Sequence, residues 1–353
     1  MFSVGGDRVI VDRYYYHQLN KDERKIYKVF YEGVMAHQDI IPLPINGLPP
    51  QDMMDRVFWA LTRDNPLIYY INQSVLNLAH DGAGNIAFVP QYFFDVDVVK
   101  EYNRKIQDSV NGIAAKLKLT EGTEYDKELK VHDWLCRNVD YDEKGHDKSK
   151  VAKFIMSHNI IGVFAHHKAQ CEGIAKAAKV LLNAVDVKCI IATGTAVGNG
   201  QNGPHAWNIV KVNDKPYHLD ITWDIGANQG KAVKNSSSGR VFYEYFNVTD
   251  KMITKTHTID KNLPVCESDE LNYFKENGNC FKSKSQAHKY VEKEFRDGKT
   301  EVYFRLEGRV NVNDTYKAVG ELINKLRVEM GIKAKSIIDS VDDNAKTCWF
   351  KLV

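Results

Sequence analysis

Several features that would place a protein in a special class are missing from this sequence. The six cysteines are dispersed, with no C-x-x-C pair and no zinc-ligand spacing, so neither a disulfide-rich miniprotein nor a zinc finger is indicated. Basic residues number 48 and acidic residues 46, which is not the basic excess of a nucleic-acid-binding protein. No apolar run approaches the ~20 residues that cross a bilayer. Residues 1–10 do not resemble a signal-peptide core. The sequence therefore predicts no membrane span, and it leaves open a cytoplasmic protein or a secreted protein whose leader has been removed.

The chain is long enough to be stable without disulfides. It has 353 residues, of which 43% are hydrophobic, enough for a large buried core and for two or three domains. We therefore expect reduced cysteines, most of them buried in the packing. A disulfide between Cys266 and Cys280 is left open.

Composition and hydrophobic periodicity divide the chain into three regions. Residues 1–119 are predicted to be mainly helical, residues 120–262 hold a helix followed by antiparallel strands, and residues 263–353 form a small α/β accessory domain. Two strands are expected in the first region, at 67–71 and 86–89. A loop rich in Gly, Ser, Asn and Lys is predicted at 226–240. The order of elements in the central region favours an α+β fold over a doubly wound parallel sheet.

Cys171 is the first candidate for chemistry. Apolar residues at helical spacing from Ile174 to Val185 predict a helix whose buried side includes Cys171 at its N-terminal end. The positive end of a helix dipole favours a thiolate there. Gly173 removes a side chain beside the thiol, which we interpret as room for a substrate backbone. For a cysteine considered alone, a packing role is the more common one.

A histidine and two acids lie on a predicted hairpin downstream of that helix. His205 begins a strand, and a two-residue turn at Asn213-Asp214 would place His205 opposite Thr222. Asp220 and Asp224 are then its diagonal neighbours, close enough for an imidazole to meet a carboxylate. Hairpin geometry alone does not choose between the two acids.

These residue types are the ones that acyl transfer needs. A thiolate attacks a carbonyl carbon, and an imidazole takes the thiol proton and returns it to the leaving amine. A carboxylate fixes the imidazole tautomer and stabilises the imidazolium. The residues therefore indicate a cysteine-dependent enzyme, with a purely structural role for each of them as the alternative.

Three segments resemble the signatures of the transglutaminase-like superfamily. They are Cys171-Glu172-Gly173, Gly203-Pro204-His205-Ala206-Trp207-Asn208 and residues 217–224. The preceding helix, with His132-Asp133-Trp134, and residues 245–250 are also similar to that family, so the resemblance covers about residues 123–260. It implies an α+β, papain-like fold in which a nucleophile helix packs on an antiparallel sheet. Residues 120–262 are accordingly expected to be a transglutaminase-like catalytic domain.

The resemblance also implies a role for each of three residues. Cys171 would be the nucleophile, His205 the general base and acid, and Asp220, rather than Asp224, the orienting acid. The Cys171 backbone N–H is one expected oxyanion donor, with Trp134 and Tyr141 as candidates for a second. No cofactor and no metal are implied, and no cluster of acidic calcium ligands is evident in the sequence.

The first hypothesis is a cysteine acyl-transfer enzyme that acts on peptide or protein amides through a thioester, most nearly a peptidase-like hydrolase. A protein-glutamine transglutaminase or a deamidase would share the same acyl-enzyme. A non-catalytic binding or scaffold protein that retains the fold is a further alternative, because Ile161, Ile174 and residues 169–170 depart from the family pattern. The expected partner is a peptide or protein substrate, not a nucleic acid, and the sequence does not indicate an oligomeric state.

Overall fold

The computed structural model describes residues 12–145, 151–198, 201–226 and 240–353. Residues 1–10, which are not expected to be a signal-peptide core, and most of the loop predicted at 226–240 lie outside these ranges. Among the helices of the described ranges, none is both long and apolar enough to span a lipid bilayer. Helices and mainly antiparallel sheets are mixed along the chain, which confirms the predicted α+β class.

The N-terminal region combines helices with a small antiparallel sheet. The side chains of Asn20 and Glu23 cap the start of the second helix in the reciprocal pattern of a capping box. In chain order the elements are α1 (Tyr14–Gln18), α2 (Lys21–Met35), β1 (Ile41–Asn46), α3 (Gln51–Asp64), β2 (Leu78–His80), β3 (Asn85–Phe88) and α4 (Val96–Leu117).

One of the two strands predicted in this region is wrong. Residues 86–89 overlap β3, but residues 67–71 are irregular, and Ile71 makes only an isolated bridge to Tyr92. The carbonyl of Ile68 accepts a hydrogen bond from the Gln73 side chain, so this buried segment satisfies backbone groups without a neighbouring strand.

The central region places one buried helix against a five-stranded antiparallel sheet. Its elements are α5 (Glu124–Asn138), β4 (Asp140–Tyr141), α6 (Val151–Ser157), α7 (Ile160–His166), β5 (Lys168–Ala169), α8 (Cys171–Asn183), β6 (Lys188–Gly198), β7 (Gln201–Val212), β8 (Lys215–Leu219), α9 (Ile221–Asp224), β9 (Phe246–Val248), α10 (Asp250–Ile253) and β10 (His257–Ile259). The strand order is β10-β6-β7-β8-β9. Helix α8 is buried from Gly173 to Asn183, on all sides and not only on the face that the hydrophobic spacing predicted.

The C-terminal region packs two long helices on a four-stranded sheet of order β11-β12-β14-β13. Its elements are α11 (Tyr273–Glu276), β11 (Cys280–Phe281), α12 (Lys284–Arg296), β12 (Glu301–Leu306), α13 (Val312–Glu329), β13 (Ile337–Asp342) and β14 (Thr347–Leu352). This agrees with the α/β arrangement expected there. The six cysteines are free thiols, and four of them are buried.

Apolar packing links the first two regions more closely than the third. One cluster of buried side chains runs from Leu19 to Phe274 and includes both sides of the boundary expected at residue 119. A separate cluster runs from Ala287 to Leu352. The N-terminal helices therefore share a core with α8, whereas the C-terminal sheet has a core of its own.

Gly194 allows the edge strand β10 to lie close to β6. It pairs with Ile259 on β10 and with His205 on β7. A methyl group on Gly194 would collide with the backbone carbonyl of Thr258 and would come within 3.1 Å of the Trp207 ring. A side chain at this position would therefore push β10 away from the sheet.

We expect Gly194→Ala to lower the free energy of unfolding by about 1–3 kcal/mol, the usual cost of overpacking. Gly203→Ala is the matched control, because Gly203 lies on the same sheet with nothing within 4 Å of the added methyl group. Chemical denaturation of both variants measures the difference. Equal stability of the two variants would contradict the close approach of β10.

Candidate active site

Cys171 is the first residue of α8, at the helix end where the sequence placed it. Gln170 is the N-cap residue, and the Cys171 side chain is partly exposed. The interpretation of Gly173 is corrected by the structure. A methyl group there would lie 2.6 Å from the Ser157 carbonyl and 2.9 Å from that of Asn159, so the missing side chain makes room for the α6–α7 turn and not for a substrate.

The hairpin that carries the histidine has the predicted turn but a shorter second strand. Asn213 and Asp214 both have positive φ angles, 49° and 63°, and Val212 pairs with Lys215 as expected. Strand β8 ends at Leu219, however, and the next residues form α9, so the expected pairing of His205 with Thr222 is wrong.

Asp220 reaches His205 from a helix cap and not from a strand. Its Oδ1 accepts a hydrogen bond from the Trp223 backbone N–H at 3.1 Å, which begins α9. Its Oδ2 lies 2.7 Å from His205 Nε2. The histidine and this acid therefore converge, although through a geometry that hairpin pairing did not describe.

Asp224, the other acid that hairpin geometry allowed, contacts a different histidine. Its Oδ2 lies 3.1 Å from His132 Nε2, and its Oδ1 accepts a hydrogen bond from the Tyr245 backbone N–H at 3.0 Å. The side chains of His132 and Asp224 have no exposed surface. Burial raises the pKa of Asp224 to about 7, although His132 opposes the effect. Asp224 thus fixes the end of α9 against α5.

The His205 ring interacts with the carboxylate of Asp220 and with the thiol of Cys171. Burial lowers the pKa of His205, but the charge and hydrogen bond of Asp220, together with the Cys171 side chain, outweigh burial and raise it to about 10. Because Nε2 faces Asp220, Nδ1 is the ring nitrogen that remains for the thiol. Of the three residues named by the sequence, His205 and Asp220 are therefore in hydrogen-bond contact, and Cys171 lies near enough to His205 to affect its pKa.

Besides His205 and the Trp223 backbone N–H, Asp220 has a third hydrogen-bond donor, the side chain of His257, which no sequence pattern indicated. His257 Nε2 lies 3.0 Å from the same Oδ2 that contacts His205. Burial raises the pKa of Asp220, but the charge of His205 and the hydrogen bonds from both histidines outweigh it and hold the pKa well below the usual range of a carboxyl. Asp220 is therefore an ionised carboxylate inside the protein.

A second histidine–acid pair holds the aromatic ring beside His205. The ring of Trp207 lies parallel to that of His205, with centroids 5.9 Å apart. Its Nε1–H donates to His218 Nδ1 at 2.9 Å, and His218 Nε2 lies 2.8 Å from Asp250 Oδ1. Trp207 is fully buried, so it packs against the histidine and does not line an open cleft.

Two groups of donor atoms have the spacing of a metal site, although the sequence indicated none. The first is formed by His205, Asp220 and His257, and the second by His218, Asp250 and Cys266, with the donor atoms of each group within 4.8 Å of one another. The hydrogen bonds described above account for the first group without an ion.

Comparison with known proteins places the site inside a recognised sequence family. Residues 111–221 match the model of the transglutaminase-like superfamily, and this stretch includes Cys171, His205 and Asp220. The match begins within α4 and ends at the start of α9, somewhat before the C-terminal limit of about 260 expected from the motifs.

Solved structures give only distant similarities to this chain, and no curated protein matches it. A TGase structure is 15% identical, over 57% of this chain and 55% of that one, with a TM-score of 0.33. A proposed cysteine protease from Cytophaga hutchinsonii is 13% identical over 42% and 61% of the two chains, with a TM-score of 0.27. A proposed protease from Parabacteroides distasonis is 14% identical over 40% and 29%, with a TM-score of 0.25. The matched region spans less than two thirds of each of these three chains.

Tyr141 and Trp134, the candidate oxyanion donors of the transglutaminase-like segment, have different surroundings. The hydroxyl of Tyr141 donates to Gln170 Oε1 at 2.8 Å, next to the start of α8. Burial, followed by the nearby Cys171 thiol, raises the pKa of Tyr141, so its hydroxyl remains a donor. Trp134 is buried, with its ring 6.1 Å from that of His167. Tyr141 lies near the Cys171 thiol, but its single hydroxyl proton is donated to Gln170, so the structure establishes neither residue as the second oxyanion donor.

Asp220→Asn and Asp224→Asn are expected to have different effects. In each variant an amide N–H₂ faces a buried donor, which should cost about 1–3 kcal/mol of stability. Only Asp220→Asn should also slow the alkylation of Cys171, by at least about tenfold, because only Asp220 contacts His205. Denaturation midpoints and alkylation rates of the folded proteins measure both effects. A larger loss of reactivity in Asp224→Asn would contradict the assignment of the two acids.

Proposed function

We propose that this protein is a cysteine-dependent acyl-transfer enzyme that acts on peptide or protein amides through a thioester, with Cys171 as nucleophile, His205 as general base and acid, and Asp220 as orienting acid. The observation that carries the proposal is the position of the His205 ring, which is bound to Asp220 through Nε2 and interacts with the Cys171 thiol. The raised pKa of His205 favours a thiolate–imidazolium pair, the form in which a cysteine attacks a carbonyl.

The reaction would proceed in two halves. The Cys171 sulfur adds to the amide carbonyl carbon, and the resulting oxyanion accepts a hydrogen bond from the Cys171 backbone N–H. The imidazolium of His205 gives its proton to the leaving amine as the carbon–nitrogen bond breaks, which leaves a thioester. In the second half neutral His205 takes a proton from water, the oxygen adds to the thioester carbon, and the thiolate leaves with the imidazolium restored.

The acceptor in the second half decides the name of the enzyme. Water gives a peptidase, or a deamidase when the leaving group is ammonia from a glutamine side chain, and a primary amine gives a transglutaminase. We favour a peptidase-like hydrolase, since the sequence shows no cluster of acidic calcium ligands of the kind expected for metal-regulated crosslinking.

The positions that depart from the family pattern bear on the alternative of a non-catalytic scaffold. Ile161 and Ile174 are both fully buried members of the apolar core. Both side chains pack in the core, and the hydrogen bond between His205 and Asp220 is present beside them. This supports an active enzyme over a retained fold without chemistry.

Selective alkylation is the first test of the proposal. Burial raises the pKa of the other five thiols, to about 12 for Cys280 and Cys348, so these should react slowly with iodoacetamide at pH 6. Cys171 should react fastest, and His205→Ala should abolish this preference, whereas Cys280→Ser should leave it unchanged. Peptide mass spectrometry measures the labelling of each cysteine. Slow and equal labelling of all six would support the scaffold alternative.

The pH profile of turnover should have an alkaline limb set by His205. Its pKa in the folded protein is raised to about 10, so the imidazolium that protonates the leaving amine is present below that pH and is lost as pH rises through it. Asp220→Asn removes the charge that raises this pKa, so the limb should move to lower pH. A limb that does not move would contradict the role assigned to Asp220.

The products identify the reaction class. We expect incubation with a peptide library and a labelled amine to give cleaved peptides, with no products from Cys171→Ser. Mass spectrometry distinguishes cleavage from a mass change of about +1 on glutamine, which is deamidation, and from incorporated amine, which is transamidation. Incorporated amine as the main product would contradict the hydrolase and favour the transglutaminase.

A further inference from the structure

Asp220 shares one carboxylate oxygen between two imidazoles. Oδ2 lies 2.7 Å from His205 Nε2 and 3.0 Å from His257 Nε2. The other oxygen, Oδ1, accepts the Trp223 backbone N–H at 3.1 Å. His257 is thus the one side chain, apart from the proposed catalytic base, that the described structure places in hydrogen-bond contact with Asp220.

The hydrogen bonds around His257 fix its orientation. Since Nε2 faces a carboxylate oxygen that only accepts, this nitrogen carries the proton of the bond. Nδ1 lies 2.9 Å from Thr256 Oγ1, and that hydroxyl lies 3.2 Å from the Tyr245 hydroxyl. Both ring nitrogens are therefore engaged, and the ring is held by its neighbours on each side.

Water is not expected to replace the hydrogen bond between His257 and Asp220. The side chains of His257 and Asp220 have no exposed surface. The rings of Trp207, Trp223 and Tyr245 surround the His257 ring, with centroid distances of 5.3, 4.6 and 5.7 Å. Removing the imidazole would leave a buried carboxylate oxygen with one donor fewer, which is costly in an apolar pocket.

The strand that carries His257 reaches this pocket from the far edge of the sheet. Strand β10 pairs with β6, and His257 lies opposite Ala196. Because β6 separates β10 from β7, the side chain of His257 links the edge strand to Asp220, the hydrogen-bond partner of the base on β7. The hydrogen bond from His257 to Asp220 therefore joins the edge strand to the site in addition to apolar packing.

We propose that His257 is a positioning residue that holds the carboxylate of Asp220 toward His205. The proposal rests on the proposed function, since it gives Asp220 the task of orienting the catalytic imidazole. His257 does not touch the reacting atoms. It acts through Asp220, by keeping the carboxylate ionised and in one rotamer.

A double-mutant cycle tests this action, with the rate of Cys171 alkylation by iodoacetamide as the readout. We expect His257→Leu to slow alkylation about tenfold, a value typical of one lost hydrogen bond to a charged group. In the Asp220→Asn background the same change should have less than about a twofold effect, because the group through which His257 acts is already altered. Equal effects in both backgrounds would overturn the proposal.

Two further variants separate hydrogen bonding from packing. His257→Gln retains a side-chain N–H donor and should recover most of the wild-type rate. Thr258→Val removes a hydroxyl of the same strand that contacts Thr195 and not Asp220, and it should react like the wild type. If the Gln variant is as slow as the Leu variant, shape and not the donated hydrogen bond is what matters, and the proposal fails.

The wild-type protein gives a measurement that does not depend on a buried variant folding. Nitrogen-15 NMR of labelled histidines should show His257 protonated at Nε2, and an unprotonated Nε2 would overturn the proposal. The failure of the proposed function has a different signature, namely a wild type in which Cys171 reacts no faster than the other cysteines. The two outcomes are therefore distinguishable.

Discussion

The buried carboxylate of Asp220 is the interaction on which the arrangement of the site depends. A carboxylate removed from water must be matched by donors, because an unpaired one costs several kcal/mol. Here the donors come from three separate elements: His205 on β7, His257 on β10 and the backbone of the first turn of α9. Satisfying one charge therefore fixes the edge of the sheet, the start of a helix and the imidazole beside Cys171 relative to one another.

Two other histidine–acid pairs fix the elements that surround the Asp220 carboxylate. His132 with Asp224 fixes the end of α9, so the helix that Asp220 caps has both of its ends anchored. The pair of His218 and Asp250 holds the indole of Trp207, whose ring lies against the imidazole of His205. Three pairs of the same chemistry thus have three different tasks, and only the one next to a partly exposed thiol is suited to catalysis.

Local sequence patterns predicted the parts of this site that depend on neighbouring residues, but not the contacts between residues far apart in the chain. The start of α8 at Cys171 followed from helical spacing, and the turn at Asn213-Asp214 from its residue types, since both depend on neighbours in sequence. The switch from strand to helix after Leu219 did not follow, because Asp220 was taken as a strand residue and not as a cap. His257 was missed because it lies 37 positions from its partner. Its contact depends on β10 crossing to the edge of the sheet, which no local pattern encodes.

The central claim is that the sulfur of Cys171 and the ring of His205 face each other. Reaction with 1,3-dibromoacetone tests this directly, because the thiolate displaces one bromide and a nucleophile within reach then displaces the other. The account predicts a single three-carbon bridge between the peptides that contain Cys171 and His205, found by mass spectrometry after proteolysis. A bridge from Cys171 to another residue, or a Cys171 adduct whose second arm has not reacted with the protein, would contradict it.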